Sequence, residues 1–191
     1  MNDHSDHHRR SIRLSGYDYK EAGAYFITVC THRRRCLFGD VIDGEMRLND
    51  AGHVVYDVWD ELPTHYPNVE LDAFVVMPNH AHGIVILASP ADLSDRTSPR
   101  IPHSVGAGFK PALRSHGLPE IVRGFKTFTA RQINDICVTS GMPVWQRNYY
   151  EHIIRNEESL AGIRQYITDN PARWADDPEN PKTSNDLGGR V

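Results

Sequence analysis

His80 and His82 stand two residues apart in Pro78-Asn79-His80-Ala81-His82-Gly83-Ile84-Val85, a segment that runs into β-branched residues. Side chains of a strand alternate between its faces, so these two share one face. Two imidazoles side by side, with a small residue between them, can bind one divalent ion. Buried against an apolar sheet with neither ligand nor partner, they would be costly. The plain alternative is a surface pair or a satisfied core pair, since eleven histidines make chance pairs common. Two histidines are also too few for a tight site, so a third ligand must come from elsewhere.

A second group is Tyr166-Ile167-Thr168-Asp169-Asn170. Residues four apart share a helix face. Tyr166 and Asn170 flank the apolar stripe Leu160, Ile163 and Ile167, so both can face a cleft beside a sheet. A phenol is a nucleophile, and an amide oxygen is a hard ligand that suits magnesium or manganese. The alternative is that Tyr166 packs on the core edge and Asn170 caps the helix. Tyr149 and Tyr150, followed by Glu151 and His152, are rival nucleophiles that His152 could orient, or else a structural aromatic pair in a short strand or loop.

These groups need elements to position them. Tyr25 to Thr31 is rich in aromatic and β-branched residues and reads as a strand. Gly39 to Gly44 reads as a turn region that can form a hairpin. Asn49 or Asp50 can cap a helix running to about Leu62, ended by Pro63 and Pro67. Val69 to Met77 and His82 to Leu87 are strands separated by Pro78-Asn79. Pro119 opens a helix with Ile121, Phe125, Phe128, Gln132 and Ile136 in one stripe, widened by Val122 and Ile133, and Arg123, Lys126, Thr127, Ala130 and Asn134 in the opposite one. Val144-Trp145 reads as a short strand. Asn156 can cap a last helix that ends at Pro171. The order predicts an α+β domain: a ferredoxin-like antiparallel sheet with helices packed on one face. It spans residues 16–174, with a flexible arm at 1–15, a long Pro- and Gly-containing loop at 88–118 and a disordered tail at 175–191.

Composition sets the class. At 39% hydrophobic and 24% charged, the chain reads as soluble and globular, and no apolar run approaches a membrane span. The three cysteines form no CxxC pair, which argues against a disulfide framework or a thiolate zinc site. A reducing cytoplasm is the expected setting. The net charge of -4 counts against a nucleic-acid partner, but a polyanion responds to the local field. Arg33, Arg34 and Arg35 form one basic cluster, and Arg123, Lys126 and Arg131 another.

Four segments carry a family likeness: GYDYKEAGAYFITVCTHRRRCLFG, LDAFVVMPNHAHGIVIL, IVRGFKTFTARQIN and VWQRNYYEHIIRNEESLAGIRQYITDNPARW. In this order they resemble the single-tyrosine transposases named for a histidine–hydrophobic–histidine (HUH) motif, and more closely their REP-associated tyrosine transposase branch. The resemblance implies a ferredoxin-like core, metal ligands at His80, His82 and Asn170, and Tyr166 as the nucleophile. It implies that the helix after Pro119 faces DNA, with Arg123, Lys126, Arg131, Arg33 and Arg34 on phosphates. It implies a magnesium- or manganese-dependent enzyme that cleaves and rejoins single-stranded DNA at short palindromes through a 5′-phosphotyrosine. The long loop at 88–118 departs from the family pattern. A monomer is favoured, because residues 166–174 run into a polar tail without an interface stripe. Two other readings stand beside this one. One is a non-catalytic binder of single-stranded or hairpin DNA derived from a transposase. The other is a metal hydrolase of small phosphoesters.

Overall fold

The computed structural model describes residues 17–89 and 115–181. The expected arm, most of the long loop and residues 182–191 lie outside them.

The elements are β1 (Gly23–Cys30), β2 (Gly39–Ile42), β3 (Glu45–Leu48), α1 (Asp50–Asp60), α2 (Leu62–His65), β4 (Val69–Met77), β5 (His80–Leu87), α3 (Leu118–Ile136), β6 (Tyr150–Ile154) and α4 (Glu157–Asp169). The main sheet has the order β4-β5-β1-β6, with every neighbouring pair antiparallel. This is the expected ferredoxin-like arrangement. β2 and β3 form a separate hairpin closed by Asp43-Gly44, both at positive φ. The caps read from sequence are in place. Asn49 Oδ1 accepts the Gly52 N–H at 3.0 Å, and Asn156 Oδ1 accepts the Ser159 N–H at 2.8 Å. Pro63 does not end helical structure; it sits in the first turn of α2, where its missing N–H costs nothing. The fourth strand is β6 rather than Val144-Trp145, whose Trp145 makes only an isolated bridge to Thr31.

Strand alternation divides the core in two. Tyr25, Ile27 and Val29 face α1 and α3, in a cluster with Val55, Val58, Trp59, Ile121, Val122 and Phe125. Phe26 faces the other way, where Ile84, Ile154 and Ile167 form a second cluster. Two helices therefore share one face as expected, and α4 covers the opposite one. The physical reason is β5: every residue of it except Ile86 is buried, so both of its faces need cover. Burying Ile167 alone stabilises that packing by roughly 1.5–3 kcal/mol. Arg164 adds a paired contact, with Nε at 2.8 Å and Nη2 at 2.6 Å from the two carboxylate oxygens of Asp72. Asp72 lies at the bulge between Leu71 and Phe74, which shifts the β4–β5 register.

The stripe on α3 differs from its sequence reading. Ile133 is buried as expected, but Thr129, from neither stripe, is buried beside it, whereas Phe128 and Ile136 are exposed. Thr129 tolerates burial because its hydroxyl donates to the Phe125 carbonyl at 2.8 Å and accepts the Trp145 indole N–H at 2.8 Å.

Gly83 decides how close α1 approaches the sheet behind the histidines. A Cβ there would lie 2.4 Å from Trp59 and 2.9 Å from Phe74, two rings stacked 4.3 Å apart. Gly83→Ala is expected to cost about 1–3 kcal/mol by overpacking. For a chain of this length that lowers Tm by roughly 2–10 °C in calorimetry. An unchanged Tm would mean that the Trp59 ring yields freely.

Candidate active site

β5 presents His80 and His82 on the α4 side of the sheet, with ring centroids 4.5 Å apart and exposures of 0% and 3%. The His80 Nδ1 lies 2.8 Å from Asn79 Oδ1. The orientation of that amide is settled by its other end: Asn79 Nδ2 donates to the Glu179 carbonyl at 2.6 Å and the Arg34 carbonyl at 3.2 Å. An amide oxygen only accepts, so Nδ1 of His80 carries the proton and Nε2 offers its lone pair. His82 Nδ1 lies 2.8 Å from the Thr28 hydroxyl, its cross-strand partner on β1. Its ring stacks on Phe26 at 5.4 Å. Burial pushes His80 down to about 4, against the opposing pull of the Asp177 carboxylate. Burial, and then the neighbouring His80, hold His82 well below the ordinary histidine range. Both rings are therefore neutral at neutral pH, the form that ligates metal.

Asp177 completes the cluster. The ligand atoms of His80, His82 and Asp177 lie within 4.8 Å of one another. His80 Nε2 and Asp177 Oδ2 are 3.9 Å apart. With a neutral imidazole this is a pair of facing ligand atoms rather than an ion pair. His80 Nε2 and Asn170 Oδ1 are both buried without a hydrogen-bond partner. Two orphaned acceptors beside a buried carboxylate are costly until a cation satisfies them. The donor set, with two imidazoles and hard oxygens, can hold a divalent ion.

Asp177 was missed in the sequence reading, which assigned 175–191 to a disordered tail. Residues 175–181 instead fold back over the end of β5. Asp177 Oδ1 accepts the Glu179 N–H at 2.6 Å, and Asn180 Nδ2 donates to the Trp174 carbonyl at 2.8 Å. Arg34 Nε sits 2.9 Å from the Glu179 carboxylate. An acid-rich stretch after a helix end looks solvated until its partners are known, and here Asn79 and Arg34 supply them from distant positions. Thr28 and Asn79, which orient the two rings, were also missed. The short polar residue preceding His80 was their only local sign.

Tyr166 projects from α4 with its hydroxyl 3.3 Å from His82 Nε2, a long contact. Its ring lies edge-on to Phe26 at 6.0 Å and remains 40% exposed. Burial raises its pKa, Asp177 and Glu179 raise it further, and Asn170 works in the other direction. The structure thus brings His80, His82, Asn170 and Tyr166 together. Tyr149 and Tyr150 line the same cleft, of about 400 Å³, along with Phe26, Asp177 and Glu179. Tyr150 is 49% exposed and touches Phe26 edge-on at 6.3 Å.

The basic residues divide. Arg123, Lys126 and Arg131 line a groove beside α3. The Lys126 ammonium is occupied there by the carbonyls of Gln146, Arg147 and Asn148, and burial lowers it to about 8. Arg33 and Arg34 lie in the 3₁₀ turn after β1 and do not line that groove, and Arg34 is held by Glu179.

No family model matches the chain. It is 43% identical over 175 residues to an uncharacterised protein of Haemophilus influenzae, a match that covers 90% of this chain and 92% of that one. The chain belongs to one family with that protein. A second Haemophilus influenzae protein, described as a candidate REP-associated tyrosine transposase, is 24% identical over 162 residues, covering 84% of this chain and 77% of its own. Among solved structures, a REP-associated tyrosine transposase bound to a REP hairpin matches with a TM-score of 0.51 and 22% identity, covering 84% of this chain and 74% of that one. The chain resembles the REP-associated tyrosine transposases in sequence and shares their transposase fold. Among the described residues, no helix is long and apolar enough to cross a membrane.

Proposed function

We propose that this protein is a metal-dependent strand transferase that cleaves and rejoins single-stranded DNA at hairpin-forming palindromes through a 5′-phosphotyrosine. The observation that carries the reading is the meeting of the Tyr166 hydroxyl with His82 at the edge of the buried His80, His82 and Asp177 cluster, where His80 Nε2 and Asn170 Oδ1 have no hydrogen-bond partner. A structural core has no use for that combination.

A divalent ion, magnesium or manganese, held by His80, His82 and the oxygens of Asp177 and Asn170 would neutralise charge on the phosphate. The chain's own residues do the rest. Asn79 and Thr28 keep the two imidazoles in ligating orientation. Ile167 anchors α4, so that Tyr166 stays at the cleft. The Tyr166 oxygen forms a bond to phosphorus, and the bond from phosphorus to the 3′ oxygen breaks. The phenol loses its proton to solvent and the departing 3′ oxygen gains one. Attack by a second 3′-hydroxyl reverses the step and releases Tyr166, so the phosphodiester energy is conserved. Tyr166 reaches the histidines of its own chain, which favours a monomer as the active unit.

The test is incubation of the full chain with a single-stranded hairpin oligonucleotide and manganese, followed by a denaturing gel. A covalent protein–DNA species is expected, and chelator should remove it. Salt-sensitive hairpin binding without any adduct would instead identify a non-catalytic binder. Turnover of small phosphoesters without an adduct would identify a hydrolase.

A further inference from the structure

The turn after β1 gives Arg33 and Arg34 positive φ values of 57° and 53°, a backbone form uncommon outside glycine. Such a form persists where the surroundings hold it. Here the Arg34 N–H donates to the Thr31 carbonyl at 3.1 Å, and the Arg34 carbonyl accepts Asn79 Nδ2 at 3.2 Å. The guanidinium then grips residues 178 and 179. Nε lies 2.9 Å from Glu179 Oε2, Nη2 donates to Oε1 at 3.3 Å, and Nη1 donates to the Pro178 carbonyl at 3.2 Å. A fork on two carboxylate oxygens and a carbonyl fixes direction as well as distance. The gripped turn carries two links to the metal cluster. Asp177 Oδ1 accepts the Glu179 N–H at 2.6 Å, while its Oδ2 faces His80 Nε2 at 3.9 Å. The Glu179 carbonyl accepts Asn79 Nδ2 at 2.6 Å, and Asn79 Oδ1 lies 2.8 Å from His80 Nδ1. The aspartate oxygen and one imidazole are thus both set through the residue that Arg34 holds.

We infer that Arg34, through Glu179, is a positioning residue of the metal centre: it sets Asp177 and His80 for a divalent ion although its own charge repels that ion. This rests on the metal-dependent reading above. It also engages Arg34 within its own chain rather than on a DNA phosphate. The charge of Arg34 works against a cation at His80. Burial does most to lower the His80 pKa, and the Arg34 charge pushes in the same direction. Position and charge therefore act with opposite signs, which makes the role measurable. The Arg34 side chain is 43% exposed, so solvent screens its repulsion. Loss of a group that orients metal ligands weakens metal affinity about 10- to 100-fold. Position is expected to outweigh charge.

The test is isothermal titration of the full chain with manganese, in the absence of DNA. Arg34→Ala is expected to weaken manganese binding about tenfold, and Glu179→Ala by a similar factor. The double variant should be no more than about twofold weaker than either single one, because both substitutions break the same link. Charge alone gives a different pattern, in which Arg34→Ala tightens manganese, Glu179→Ala weakens it, and the double variant lies between them. Circular dichroism and Tm of the metal-free variants check the fold; loss of a partly exposed ion pair should move Tm by no more than about 4 °C. Manganese affinity that is unchanged or tightened in Arg34→Ala would overturn the inference and return Arg34 to the candidate phosphate contacts. Losses that multiply in the double variant would overturn it as well, since the two residues would then act independently. Wild-type protein that binds no manganese would sink the metal centre itself, and the positioning role with it. Wild-type binding with an unmoved Arg34→Ala sinks the positioning role alone.

Discussion

Tyr166→Phe is expected to abolish the covalent protein–DNA species while leaving hairpin binding and metal binding intact. The substitution removes one oxygen and keeps the ring that packs on Phe26 and His82. Its hydroxyl makes a long contact to His82 and lies within reach of Asn170, so the cost in stability is small. The chemical loss is total for a route that needs an oxygen–phosphorus bond to the protein. Adduct formation should fall below about one thousandth of the wild-type rate, in the range seen when a nucleophile is removed from an intact site. Tyr150→Phe is the informative control. Tyr150 lies in the same cleft and is the more exposed of the two. It should keep adduct formation within a few-fold of wild type. The reverse pattern, with the adduct surviving in Tyr166→Phe and lost in Tyr150→Phe, would move the nucleophile to β6.

Manganese is expected to raise the Tm of the wild-type protein, and His80→Ala to cancel the rise. An ion that binds only the folded state stabilises it by about 2.7 kcal/mol at a hundredfold excess over Kd. For this chain length that is roughly 5–10 °C. The oxygen ligands separate in the same assay. Asp177→Asn keeps the shape and removes the charge, and should reduce the shift strongly. Asn170→Ala should reduce it less. A full shift in Asp177→Asn with none in Asn170→Ala would make Asn170 the sole oxygen ligand. A metal-free protein whose Tm ignores manganese would dismiss the site altogether.

The same histidine sets a pH dependence of stability. His80 titrates at about 4 in the folded protein, and an unfolded histidine at about 6.5. As pH falls, the unfolded chain binds its proton first. The stability that neutral His80 contributes is therefore complete above about pH 6.5 and is lost between there and about pH 4. Bound metal acts in the same sense, because protons compete with it for the same nitrogen.

Much of this protein is local in origin and therefore legible without coordinates. β1, β4 and β5 follow from runs of β-branched and aromatic residues, and α1 and α4 begin where Asn49 and Asn156 cap them. The pairing of His80 with His82 needs only strand alternation, and that of Tyr166 with Asn170 needs only the helical repeat. These relations hold within a few residues, where backbone geometry alone dictates which side chains coincide. The edge strand β6 was harder to see, because Tyr150, Glu151 and His152 put polar groups on both of its faces and mask its pairing with β1.

What only the tertiary structure decided lies between residues far apart in the chain. The antiparallel register of β1 with β5 sets Thr28 beside His82, and Asn79 joins His80 to Arg34 and Glu179. Asp177, in a stretch whose composition reads as solvated tail, becomes a buried candidate ligand because those contacts hold it over the sheet. Lys126, a free cation by its helix position, is instead held by the backbone, because segment 146–148 turns three carbonyls toward it. Sequence periodicity determined which residues share a face. Burial and long-range hydrogen bonds determined which charges stay available for chemistry, since both depend on what the fold packs against each group.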